Sequence, residues 1–267
     1  MIEGNIRKMP VELNGTEVIY RLQLGESEIL LNEIVGKQVD VNFSGQINCV
    51  HCGKKIKKTY GQGFCYPCFI SVPEADPAIV KPELDMAHEG IARDMEWAKT
   101  HSLIDHFVYF AFTGDVKVGV TRHNQIPTRW IDQGASKAII LAKTPYRNLA
   151  GQIEVELKKY FADKTNWRKM LSDISCENDI LLTAKNKAID LLPDNLKEYI
   201  FEDNTVTELN YPVIKYPQKV KSLKLDKNPQ INKTLTGIKG QYLIFDDNTV
   251  INIRNHSGYY ISFDYSS

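Results

Sequence analysis

Four of the five cysteines fall as Cys49-x2-Cys52-x12-Cys65-x2-Cys68, and the fifth, Cys176, stands alone. Each Cys-x2-Cys pair can form a turn that aims two thiolates and nearby backbone N–H groups at one point. Two such pairs supply the closed tetrahedral shell of a structural Zn²⁺. Four thiolates leave no open position for water, so the metal is expected to be structural, with iron as the other ion that tetrahedral sulfur accepts. The opening MIEGNIRKMP lacks a signal-peptide core, which favours metal over disulfides. Tyr60, Phe64, Tyr66 and Phe69 can cover the two knuckles, and His51 is expected at the surface. Lys54, Lys55, Lys57 and Lys58 lie between the pairs. They read either as a phosphate-contacting patch or as a solvated ribbon that offsets the site's net negative charge.

A second group of residues is carried by a run of short elements. Val108, Phe110 and Phe112 alternate with Phe107, Tyr109 and Ala111; after Thr113-Gly114-Asp115, Val116, Val118 and Val120 alternate with Lys117, Gly119 and Thr121. Both are strand patterns. If the two apolar faces share one core, Phe112 pairs with Val116 across a three-residue loop. Tyr109 and Lys117 then emerge together on the opposite face. Pro127 opens a short helix carrying Arg129 and Gln133, and Gly134 closes it. Residues 138–142 read as a third strand. Leu149, Ile153, Leu157 and Phe161 then mark a helix with Glu154 at the edge of its buried stripe. Arg122 and His123 occupy the loop before the arginine helix, where they are placed to hold phosphate or a flipped-out nucleotide. Arg147 begins the Glu154 helix, where the dipole disfavours a cation, so a phosphate or carboxylate partner is expected for it.

This order, with FVYF, KVGVT, RW on the next helix and one glutamate on the helix after, resembles the GIY-YIG nuclease fold over residues 107–171. With CYPCF, RWIDQGA and DKTNWRKML added, most of the chain is similar to a bacterial family classed only as a domain of unknown function. The nuclease resemblance implies that Tyr109 is the first-motif tyrosine, Arg129 the helix arginine, and Glu154 the ligand of Mg²⁺ or Mn²⁺. Lys117 departs from it by standing where the second-motif tyrosine belongs. Gln133 takes a position that often holds histidine or tyrosine. Phosphodiester hydrolysis needs an activated water, a cation for the leaving oxygen and charge stabilisation at phosphate. In such a site Glu154 would hold the cation, Arg129 would fork onto phosphate oxygens, and Tyr109 would orient or deprotonate the water. Lys117 would hold phosphate as a point charge, or act as a base if burial lowered its pKa strongly. His123 is the residue best suited to replace the lost tyrosine. Each also has a plainer role: Tyr109 as a packing residue, Arg129 lying over its helix, and Glu154 paired with Lys158.

Two functions follow. One is a nucleic-acid-binding protein with metal-dependent phosphodiester hydrolysis at Tyr109, Lys117, Arg129 and Glu154. The other is a non-catalytic, zinc-stabilised interaction module whose nuclease site has decayed. The first requires Glu154 open to solvent beside Tyr109 and Arg129, whereas the second allows side chains to fill that cleft.

The 267 residues have room for two domains, or one with appendages. Hydrophobic residues at 43% and charged residues at 25% are ordinary for a globular protein. Lysine plus arginine equals aspartate plus glutamate at 33 each, so any nucleic-acid-binding face must be local. No stretch approaches the roughly 20 apolar residues of a membrane helix, and a cytoplasmic location is expected. The expected segments are a β-rich unit (1–48), the cysteine module (49–72), a linker and helix (73–105), the nuclease-like unit with added helices (106–204) and a β-rich end (205–267). Within them, 71–84 reads as an extended connection, 85–99 and 177–192 as helices, and 236–245 with 249–254 as a hairpin. The fold class is α+β: a central GIY-YIG-like small sheet with helices, plus β-rich ends able to pair as one composite barrel carrying a zinc-ribbon-like insert.

Overall fold

The computed structural model describes residues 1–177 and 179–266. The fold is mixed α+β with several antiparallel sheets, and the chain forms two compact units. One gathers Met1–Ile70, Leu171–Asp173 and the segment from Asn210 to the C-terminus; the other comprises Ser71–Met170 and Ile174–Leu209.

In the first unit the two chain ends share a sheet. Ile2–Asn5 pairs with Tyr259–Tyr265, which pairs with the long strand Gln38–Asn48; the path continues through Gln230–Lys239, Tyr242–Phe245 and Thr249–Asn252 to Lys221–Ser222. Val39 and Val41 are buried with Ile231, Ile261 and Phe263, as their alternation demands. Among the described residues these pairings run as an open path. A separate three-stranded sheet is formed by Val11–Asn14, Glu17–Leu24 and Ser27–Leu30. The expected continuous strand over 236–245 is broken, because the chain reverses at Gly240-Gln241 and makes a hairpin of its own. The cysteine module hangs from this large sheet through Lys55–Ile56, which pairs with Ile47 and Asn48.

The second unit is built on a four-stranded antiparallel sheet in the order Thr207–Glu208, Lys137–Thr144, His106–Phe112 and Val116–Arg122. Phe112 does pair with Val116. Val108, Phe110, Val118, Ile139 and Leu141 form a core with Leu149, Ile153 and Leu157 of the helix Arg147–Leu157 and with Leu181, Ala184 and Ala188 of the helix Ile180–Leu191. That second helix starts later than the sequence suggests, and the expected stretch includes Asn178, which lies outside the described residues. Asn166 Oδ1 accepts from the N–H groups of Arg168 and Lys169 and so starts the short helix Trp167–Met170.

Two expectations fail in the segment that precedes the sheet. Residues 71–84 are not extended but coil into three single turns, Pro73–Ala75, Pro77–Ile79 and Pro82–Leu84. Each begins on a proline, whose fixed φ and missing N–H suit a first helical position. The helix expected over 85–99 is confined to Met95–His101, which Asp94 caps by accepting from Trp97 N–H. Upstream, Gly90 at φ +81° ends the turn Ala87–Glu89, and Ile91, which the apolar face of such a helix would bury, is exposed.

Candidate functional site

The cysteine cluster is assembled by the long strand's end and the turn into the helix Tyr66–Ser71. The ligand sulfurs of Cys49, Cys52, Cys65 and Cys68 all lie within 4.8 Å of one another. Cys52 Sγ and Cys65 Sγ are 3.8 Å apart, the spacing that two Zn–S bonds of about 2.3 Å give at a tetrahedral centre. Cys65 N–H donates to Cys49 Sγ at 3.1 Å. Desolvation raises the Cys49 thiol, but backbone N–H groups of Cys52, Cys65 and His51 outweigh it and bring the pKa down to about 6. Hydrogen bonding with the Cys65 thiol and burial push Cys68 up to about 12. A cation at the centre removes this competition for protons, because each coordinated thiol ionises. The cluster is therefore capable of holding a metal ion. Tyr60 packs on Tyr66 and Phe69 beside it. His51, Lys54, Lys55, Lys57 and Lys58 are all exposed.

The second constellation is gathered but closed. Tyr109 and Lys117 share a face of their hairpin, as alternation requires, yet that face is not open: Tyr109 is fully buried and Lys117 only 4% exposed. The covering element is the short helix Thr128–Asp132, whose Trp130 meets Tyr109 edge-on with ring centroids 6.0 Å apart. On the neighbouring strand, a Cβ at Gly119 would lie 2.7 Å from Tyr109 Oη, so the bare backbone gives the phenol its space. Gln133 joins the tyrosine to the arginine. With its amide oxygen toward Arg129 it accepts from the guanidinium at 3.1 and 3.2 Å, while its nitrogen donates to Tyr109 Oη at 2.9 Å.

Burial pushes the Tyr109 hydroxyl up, opposed by the charge of Arg129 and a hydrogen bond from it. The Lys117 ammonium makes no hydrogen bond or ion pair among the described residues. Burial, and then the charge of Arg129, push it down to about 8, against the attraction of Glu154 and Asp163. Glu154 is 9% exposed; burial pushes it up, while Lys158 and Lys117 pull it down. Lys158 Nζ lies 3.9 Å from the Glu154 carboxylate and 3.8 Å from that of Glu83.

Sequence reasoning did not find Glu83 or Asp163 beside Glu154, because both come from segments with no periodic signal. The approach of Glu83 depends on Gly151: a Cβ there would lie 2.3 Å from Glu83 N and 2.5 Å from the Pro82 carbonyl carbon. Gly151→Ala should therefore cost about 1–3 kcal/mol through forced backbone displacement, read as a lowered denaturation midpoint. A midpoint equal to the parent's would show that the turn at residues 82–84 yields freely.

The loop residues are less engaged. His123 is exposed and its Nδ1 lies 3.1 Å from Asp105 O, and Arg122 is half-buried, with desolvation lowering its pKa. Arg147 has the carboxylate partner expected of it, Asp85, at 3.4 Å in a buried pair. No helix is long and apolar enough to cross a membrane among the described residues.

No curated protein and no solved structure matches the chain. Residues 36–261 match the family model described as "Protein of unknown function (DUF2797)". The chain belongs to that family, and within it carries a four-cysteine cluster able to bind a metal.

Proposed function

We propose that the protein is a non-catalytic, zinc-stabilised interaction module that carries a GIY-YIG-like constellation in a closed form. The observation that carries this reading is the state of Glu154. Its side chain is 11% exposed, and Lys158, which lies 3.9 Å away and is shared with Glu83, already engages it. Mg²⁺ binds through one or two carboxylates while keeping several waters, and a carboxylate buried to this degree and already paired with a lysine leaves little room for that hydrated ion. The strand–strand–helix–strand–helix order supports the family likeness. Lys117 in place of a tyrosine supports loss of the original chemistry.

The hydrolytic reading has one observation in its favour, the chain of contacts Tyr109–Gln133–Arg129. One assay separates the two. Labelled single-stranded, duplex and branched DNA and RNA are incubated with the full chain and Mg²⁺ or Mn²⁺, beside Glu154→Ala. The expected result is no cleavage by either protein. Cleavage by the parent that Glu154→Ala abolishes would replace this reading with a metal-dependent nuclease.

A further inference from the structure

The cysteine module carries charge of one sign. No aspartate or glutamate occurs between Asp40 and Glu74, while Lys54, Lys55, Lys57 and Lys58 are all exposed. Among the described residues none of these lysines has an ion pair; Lys58 lies over the Tyr60 ring at 5.4 Å. The same unit adds a recess of about 290 Å³ lined by Arg7, Lys8, Val50, Gln62, Arg254 and Ser257, with no carboxylate in its walls. Its two arginines are held in place. Arg7 Nη1 donates to Val50 O at 2.7 Å, and Arg254 Nε donates to Gln62 Oε1 at 2.8 Å. Val50 N–H donates to Gly63 O at 2.9 Å, and a Cβ at Gly63 would lie 2.8 Å from Ser257 O, so the knuckle is seated tightly on the turn that bears Arg254.

Seven cations therefore gather on one module and its immediate support, in a chain whose charges balance overall. They exceed the net two negative charges of a Zn²⁺–tetrathiolate centre. An aromatic ring completes the surface: Tyr66 is 55% exposed, and Tyr60 fixes it edge-on with ring centroids 5.3 Å apart. Lysines for phosphates and a supported, solvent-facing ring for a base are the two parts of a single-strand platform. An equal charge density without the ring would suit any polyanion.

We infer that this face of the cysteine module binds single-stranded nucleic acid, with one phosphate in the Arg7–Arg254 recess, its neighbours along the lysine ribbon, and a base stacked on Tyr66. The inference rests on the interaction-module reading above and names its partner.

The test is fluorescence anisotropy of the full-length, metal-loaded protein with a labelled mixed-sequence single strand and its matched duplex, across a salt series. The parent should prefer the single strand, with log Kd rising by about 0.7 per contacted phosphate for each decade of salt. Tyr66→Ala should weaken single-strand binding about fivefold or more, from the stacking lost. Changing the four lysines to serine, or Arg7 and Arg254 together to serine, should lower both affinity and salt slope. Tyr66, the four lysines and Arg7 are exposed and Arg254 is half-buried, and unchanged metal content checks that each variant is folded. A parent that ignores single strands at low salt overturns the inference. So does equal affinity for duplex, or for inorganic polyphosphate, that Tyr66→Ala leaves unmoved. Each of these leaves the non-hydrolytic reading standing, and cleavage of the probes would instead overturn that reading while the binding variants still score the surface.

Discussion

Cys65→Ser should abolish stoichiometric metal and dismantle the knuckle. The parent is expected to carry one zinc ion per chain by elemental analysis, and the variant none. Cys65 is buried, and it joins the two halves of the cluster through its N–H bond to Cys49 Sγ. A serine hydroxyl keeps the volume but is a far poorer ligand for a soft tetrahedral site. Structural zinc contributes about 10–16 kcal/mol of apparent folding free energy in isolated finger peptides. That exceeds what a short module with few buried apolar groups could supply by packing alone. The loss should stay local at first, because Ile47 and Asn48 belong to a strand held on both sides by long partners. Protease should therefore cut quickly within the lysine ribbon of the variant or of the chelated parent, while the large sheet persists. Retention of one zinc by Cys65→Ser, with the ribbon still protected, would remove Cys65 from the ligand set.

How much of this was legible follows from where each signal is stored. The cysteine cluster was readable because two Cys-x2-Cys turns carry their geometry locally. The Phe112–Val116 register was readable because a two-residue period allows one arrangement that buries both apolar faces. The proline turns over 73–84 were not, since proline permits a first helical turn as readily as an extended chain, and packing against the helix around Gly151 decides between them. The closed state of the Tyr109 site was also hidden. Alternation assigns Tyr109 and Lys117 to a face, but whether that face meets water depends on how Trp130 of the following helix packs against Tyr109, which no periodicity of the strands records.

Lys117→Met should make the protein more stable at neutral pH, and the gain should vanish in alkali. Between about 8, the pKa of the buried amine, and its ordinary 10.5, the unfolded chain holds more of this proton than the folded chain. Stability of the parent therefore rises with pH through that window, and the full penalty is present below it. A drop from 10.5 to about 8 corresponds to about 3 kcal/mol, part of which an imperfectly packed methionine would give back. Lys239, also held near 8 by burial, contributes a similar slope to both proteins, so the difference between parent and variant isolates Lys117. Urea denaturation at pH 7 and pH 10 measures it: the variant's advantage should be about 1–3 kcal/mol at the lower pH and smaller by about 2.5 kcal/mol at the higher. A destabilised Lys117→Met at pH 7 would mean that the ammonium is well compensated by Glu154 and Asp163, and that it is a structural ion of the closed site. The expected outcome says instead that an ammonium with no ion pair among the described residues is kept near Arg129 and Glu154 at the expense of stability, as a closed site that no longer does chemistry permits.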